Sequence, residues 1–116
     1  MQTHWYNKFA NALRGIRCGI IGQSSFYVHL ACAAATLGLA AVLHCEAWQW
    51  CVLGLCIGLV LSLELVNSAL ESLAKGLCHE HNEQVGRALD IASGAVLLAS
   101  CAAAVIGLAI FAMQIF

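Results

Sequence analysis

The sequence predicts an all-α membrane protein, in which an N-terminal amphipathic surface helix precedes three transmembrane helices. Three observations predict it. Of 116 residues, 62% are apolar and only 9% charged, whereas soluble domains carry about 25% charged residues. Mean hydropathy is +0.87, and a soluble fold this short keeps too much of its surface wet to hide so many apolar side chains. The charged residues are also confined, because none falls within 18–45, 47–63 or 91–116. A water-soluble globular monomer is therefore excluded. A disordered chain, which needs low hydrophobicity and high charge, is excluded as well. Net charge is −1 and pI about 6.5, so no basic footprint for nucleic acid exists.

Residues 4–23 read as the surface helix. Phe9, Leu13, Ile16 and Ile20 recur at three- and four-residue spacing, leaving Lys8, Arg14 and Arg17 to point elsewhere. That is the pattern of a basic helix lying on a membrane, and His4, Trp5 and Tyr6 suit the interface. A span needs roughly 20 predominantly apolar residues. Segments 26–43, 49–74 and 91–113 reach that length and read as the three spans. The first begins too late and runs too long for a cleaved leader. No proline-rich linker or repeat divides the chain, which reads as one domain over 1–116. All five Lys and Arg lie before the first span or between the second and third. The positive-inside rule then places the N-terminus and that connection in the cytoplasm. Cys45 and Cys51 flank the short opposite loop, but facing span ends are only a necessary condition for a disulfide, and free thiols are expected.

The second span carries a polar stripe. Glu64, Asn67, Ser68, Glu71 and Lys75 follow the rhythm that places side chains on one helical face. Hydroxyls and amides in such a stripe commonly join helices, which is the favoured reading for Asn67, Ser68 and Ser93. Carboxylates at bilayer depth cost several kcal/mol and are functional by default. The opening of the third span adds Arg87, Asp90 and Ser93, and the short connection adds His79, Glu80 and His81. Antiparallel helices joined by so short a loop should bring Asp90 toward Glu71 and Lys75. Hard oxygen ligands of this kind suit Mg²⁺ held jointly with substrate phosphates.

ELVNSALE, followed after a polar connection by RALDIASGAVLLAS, resembles the small integral-membrane lipid kinases of bacteria, the prokaryotic diacylglycerol and undecaprenol kinases. The likeness runs from about Phe9 to Phe116. It implies a homotrimer in the bacterial inner membrane with active sites shared between subunits and facing the cytoplasm. It also implies ATP with Mg²⁺ as phosphoryl donor and a lipid alcohol as acceptor. By position, the resemblance makes Glu64 the general base and Asn67 its partner, Glu71 a metal ligand, and Glu80 and Asp90 nucleotide contacts. Phe26 followed by His29 looks more like the undecaprenol kinase branch.

Three positions depart from the family pattern. Gln23 stands where a second metal-binding glutamate is expected, Leu89 where a phosphate-binding lysine is, and Lys75 where an aspartate is. Lys75, with Arg87 nearby, is expected to replace the lost cation. Two other readings stay open: a degenerate member that keeps the trimer without turnover, and a small membrane scaffold.

Overall fold

The computed structural model describes the backbone of residues 2–21 and 24–116, and the side chains of 4–21 and 25–116. Gln23 lies outside the described residues. Four helices follow one another: α1 Gln2–Ile20, α2 Ser24–Val42, α3 Ala47–Leu77 and α4 Glu83–Ile115. The all-helical architecture agrees with the reading of the sequence. α2, α3 and α4 are each long and apolar enough to cross a membrane.

α1 keeps Trp5, Tyr6, Phe9, Leu13 and Ile16 exposed, as an interfacial helix must if that face is to enter lipid. Lys8 Nζ sits 5.3 Å from the centre of the Trp5 ring, so the ammonium stays near the aromatic edge of the apolar face. The far end of α1 meets α3 where Gly19 faces Leu65; a Cβ at position 19 would collide with the Leu65 side chain. A side chain at position 19 would oblige Leu65 to move, so the glycine lets α1 and α3 meet here with Leu65 in place.

α2 ends in a Schellman motif. His44 adopts a left-handed φ of 56°, while its N–H reaches Ala41 O at 3.2 Å and the Cys45 N–H reaches Ala40 O at 3.1 Å. The two bonds satisfy carbonyls that a helix end otherwise leaves open. Gln114, near the end of α4, donates through Nε2 to Leu43 O and His44 O, each at 3.1 Å. The chain then re-enters helix at Glu46, whose N–H donates to Gln49 Oε1 at 2.7 Å. Ala40, Leu53 and Ile110 pack beneath this turn as a small core. Cys45 and Cys51 are free thiols.

α3 and α4 make the principal helix pair. Their connection ends at Asn82, whose side-chain oxygen accepts from the N–H groups of Gln84 and Val85 at 2.9 and 3.1 Å, a cap for the exposed donors of α4. At 1.5 Å per residue α3 and α4 are roughly 46 and 50 Å long, well beyond the ~30 Å hydrocarbon core. The whole molecule measures 54 × 42 × 21 Å. The excess length falls at the 78–82 end, where the charged residues of both helices lie. Elsewhere Leu55, Leu59, Leu97, Leu98, Val105 and Leu108 are exposed, a distribution that only lipid or another apolar helix makes favourable.

Candidate functional site

The polar stripe of α3 divides into two parts, Glu64 and the pair Asn67 and Glu71. Glu64 follows seventeen uncharged residues of α3, about 26 Å of helix, so a hydrocarbon layer entered at the start of α3 would end close to it. It is 4% exposed. A carboxylate so buried is costly unless it is bonded, and α2 supplies the partners. Ser25 Oγ donates to Glu64 Oε1 at 2.6 Å, and His29 Nε2 lies 3.5 Å from Glu64 Oε2. Phe26, which lies between these two residues in the sequence of α2, is buried as well.

One turn farther along α3, Asn67 Nδ2 donates to Glu71 Oε1 at 3.1 Å. Asn67 Oδ1 and Ser68 Oγ are buried without a hydrogen-bond partner among the described residues. Within the single chain, the bond of Asn67 runs along its own helix to Glu71. Seven residues separate Glu64 from Glu71, about 10 Å along the axis. The two carboxylates serve two stations rather than one point.

Two hollows flank the stripe. A groove of about 440 Å³ runs among α2, α3 and α4 from His29 and Leu61 to Leu53 and Phe111. Its walls are apolar or small, with Cys32, Thr36, Cys56, Ser100 and Gly107 among them. The second hollow, about 410 Å³, is lined by Glu71, Lys75, Glu80, His81, Asn82, Gly86 and Leu89. Here the structure gathers five of the residues singled out in the sequence, Glu71, Lys75, Glu80, His81 and Leu89.

Asp90 and Arg87 are exposed and stand outside that lining. The reason is helical phase. α4 begins at Glu83, and Val85, Gly86 and Leu89 share the face turned to the hollow; Arg87 falls on the opposite side of the helix, and Asp90 on the flank of that face, about 40° beyond Gly86. Lys75 and Glu71 lie one turn apart, yet no ion pair forms between them among the described residues; His29 with Glu64 is the pair recorded there. Also among the described residues, no three His, Cys, Asp or Glu side chains gather around one point. Ser25 and His29 were not read as site residues from the sequence. Their four-residue spacing at the start of α2 was the available signal, and nothing local ties it to Glu64, 39 residues from Ser25.

The sequence profile described as prokaryotic diacylglycerol kinase matches residues 10–111. A diacylglycerol kinase of Synechocystis is 38% identical over 100 residues, covering 85% of this chain and 57% of that protein. An undecaprenol kinase of Bacillus subtilis is 32% identical over 109 residues, covering 94% of this chain and 89% of its own length. A diacylglycerol kinase of Escherichia coli is 30% identical over 86 residues, covering 74% and 70%.

Proposed function

Because the chain belongs to the prokaryotic diacylglycerol kinase family, we propose that it transfers the γ-phosphate of ATP to the hydroxyl of a membrane lipid, diacylglycerol or undecaprenol, at the cytoplasmic face of the bacterial inner membrane. The observation that carries this reading is Glu64: a buried carboxylate held by Ser25, close to where a hydrocarbon layer entered at the start of α3 would end, and one helical turn from an apolar groove. A lipid whose chain occupies the groove brings its head-group hydroxyl to the level of Glu64. There the carboxylate accepts the hydroxyl proton, the role of a general base within hydrogen-bond reach. Asn67 stands between this station and the next.

Glu71 and the second hollow suit the nucleotide. Mg²⁺ usually takes only one or two protein carboxylates and leaves its other positions to water and phosphate oxygens. Glu71, together with the unpartnered Asn67 Oδ1, fits such a site without needing a three-residue cluster. Bound there with ATP, the ion would neutralise phosphate charge during transfer. Lys75 lines the same hollow as Leu89, so its ammonium can reach phosphates that the leucine cannot. Glu80 borders the hollow, and Arg87 and Asp90 remain exposed on α4, where a neighbouring subunit of a homotrimer would meet them.

The test is labelled-phosphate transfer from MgATP in mixed micelles, with diacylglycerol and undecaprenol offered separately. Transfer to either lipid should fall at least 100-fold in Glu64→Gln, as expected for loss of a general base. Turnover that survives this substitution would refute the assignment of Glu64. The apolar Leu89 in the nucleotide hollow favours, as a second reading, a family member without turnover. That reading predicts nucleotide binding with transfer to neither lipid.

A further inference from the structure

We propose that His29 is a positioning residue for Glu64, fixing with Ser25 the plane of the carboxylate so that its remaining lone pair meets the acceptor hydroxyl. This rests on the reading of Glu64 as the base. The terminal torsion of a glutamate is soft, with broad wells, and a single donor leaves the carboxylate free to rock about it. Two donors on different oxygens do not. Ser25 occupies Oε1 at 2.6 Å, and the imidazole Nε2 faces Oε2 at 3.5 Å. That is longer than a formed N–H···O bond. Hydrogen bonds to catalytic groups are often long before substrate binds and tighten in the complex.

Among the described residues, no charged group other than His29 lies against Glu64. The residues that line the groove with His29 from α3 and α4 include Val60, Leu61 and Ser100, none of them charged. On α2 itself there is no other ionisable group within one turn of His29 except Tyr27 and Cys32. The chain's Lys and Arg residues are exposed, and among the described residues none lies within 4 Å of Glu64. Both anchors of the base therefore come from one turn of α2. His29 also borders the groove, where it can register the acceptor against the carboxylate. A base misplaced by an ångström loses much of its effect.

The experiment compares His29→Gln, which retains an N–H donor, with His29→Leu, which retains bulk but no donor. At saturating MgATP and lipid, His29→Leu should lose about 30-fold in kcat with the KM for MgATP unchanged, and His29→Gln should stay within about 3-fold of the parent. A role in packing alone predicts the opposite order, because leucine suits an apolar groove better than an amide, and that order would overturn the proposal. Ser25→Ala should lower kcat in the same manner, and it supplies the kinetic result if His29→Leu does not fold. A second readout needs no turnover. His29→Leu should lower Tm by several degrees in the parent and by much less in Glu64→Gln, since contacting residues are non-additive. Equal shifts in the two backgrounds would sink the contact. If the parent transfers phosphate to neither lipid, the kinase reading falls while the Tm comparison still decides the pair.

Discussion

Glu64 and Glu71 share one face of α3, yet their surroundings give them separate work. Glu64 is buried and held from α2, and Glu71 is half-buried and bonded along its own helix to Asn67. The stripe was legible because helical periodicity is a local property of sequence, so 64, 67, 68, 71 and 75 could be placed on one face without any tertiary information. The partners of Glu64 were not, because a contact between α2 and α3 depends on how the two helices dock. Lys75 is where this distinction becomes testable. It lines the hollow proposed for the nucleotide together with Leu89, and is the Lys or Arg side chain in that lining among the described residues. Lys75→Ala should raise the KM for MgATP about tenfold with little change in the KM for lipid, as expected for loss of one charge-assisted phosphate contact. The double variant Lys75→Ala with Leu89→Lys should recover much of that loss. A KM for MgATP unmoved by Lys75→Ala would show that another group clamps the phosphates.

At the level of elements, the long apolar runs made the spanning helices plain, and the ends were harder to place. α3 reaches Leu77 and α4 starts at Glu83, so both helices continue past the apolar runs into a polar hairpin. Hydropathy reports where lipid stops, whereas hydrogen bonding and the Asn82 cap decide where helix stops. That continuation sets the phase of α4, and the phase turns Leu89 rather than Asp90 toward the hollow. The expected approach of Asp90 to Glu71 assumed an antiparallel pair without a register, and register is a tertiary fact. The opposite turn holds a different local cost. His44 takes a left-handed φ that disfavours side chains bearing a Cβ by about 1–2 kcal/mol. His44→Gly should therefore stabilise the protein by about 0.5–1 kcal/mol once the greater entropy of an unfolded glycine is deducted. The rise would be read as Tm in micelles, with transfer activity unchanged because the turn lies at the far end of the bundle from Glu64. A lower Tm would mean that the imidazole makes contacts outweighing the backbone strain.

For the whole molecule, the question is where Asp90 and Arg87 act. Within one chain both are exposed and stand outside the lining of the hollow that Glu71, Lys75 and Glu80 border. Charged side chains on a polar helical extension need no explanation when solvated, so exposure alone does not give them a function. Placed beside a neighbouring subunit in a closed ring, however, these exposed residues of α4 can complete the neighbour's nucleotide site, and interfaces of cyclic oligomers unite different patches of identical chains. This arrangement is distinguishable from a self-contained subunit by mixing two inactive variants. Glu64→Gln removes the base, and Asp90→Asn removes the proposed nucleotide contact, so each alone should be nearly inert. If every site draws Glu64 from one chain and Asp90 from the next, random 1:1 assembly leaves about a quarter of the sites intact, and turnover should return to about that fraction. If both residues serve a site within one chain, each mixed trimer contains only damaged sites and no turnover returns. The mixture therefore reads the assembly through its chemistry, and silence from two subunits that co-assemble would confine the active site to a single chain.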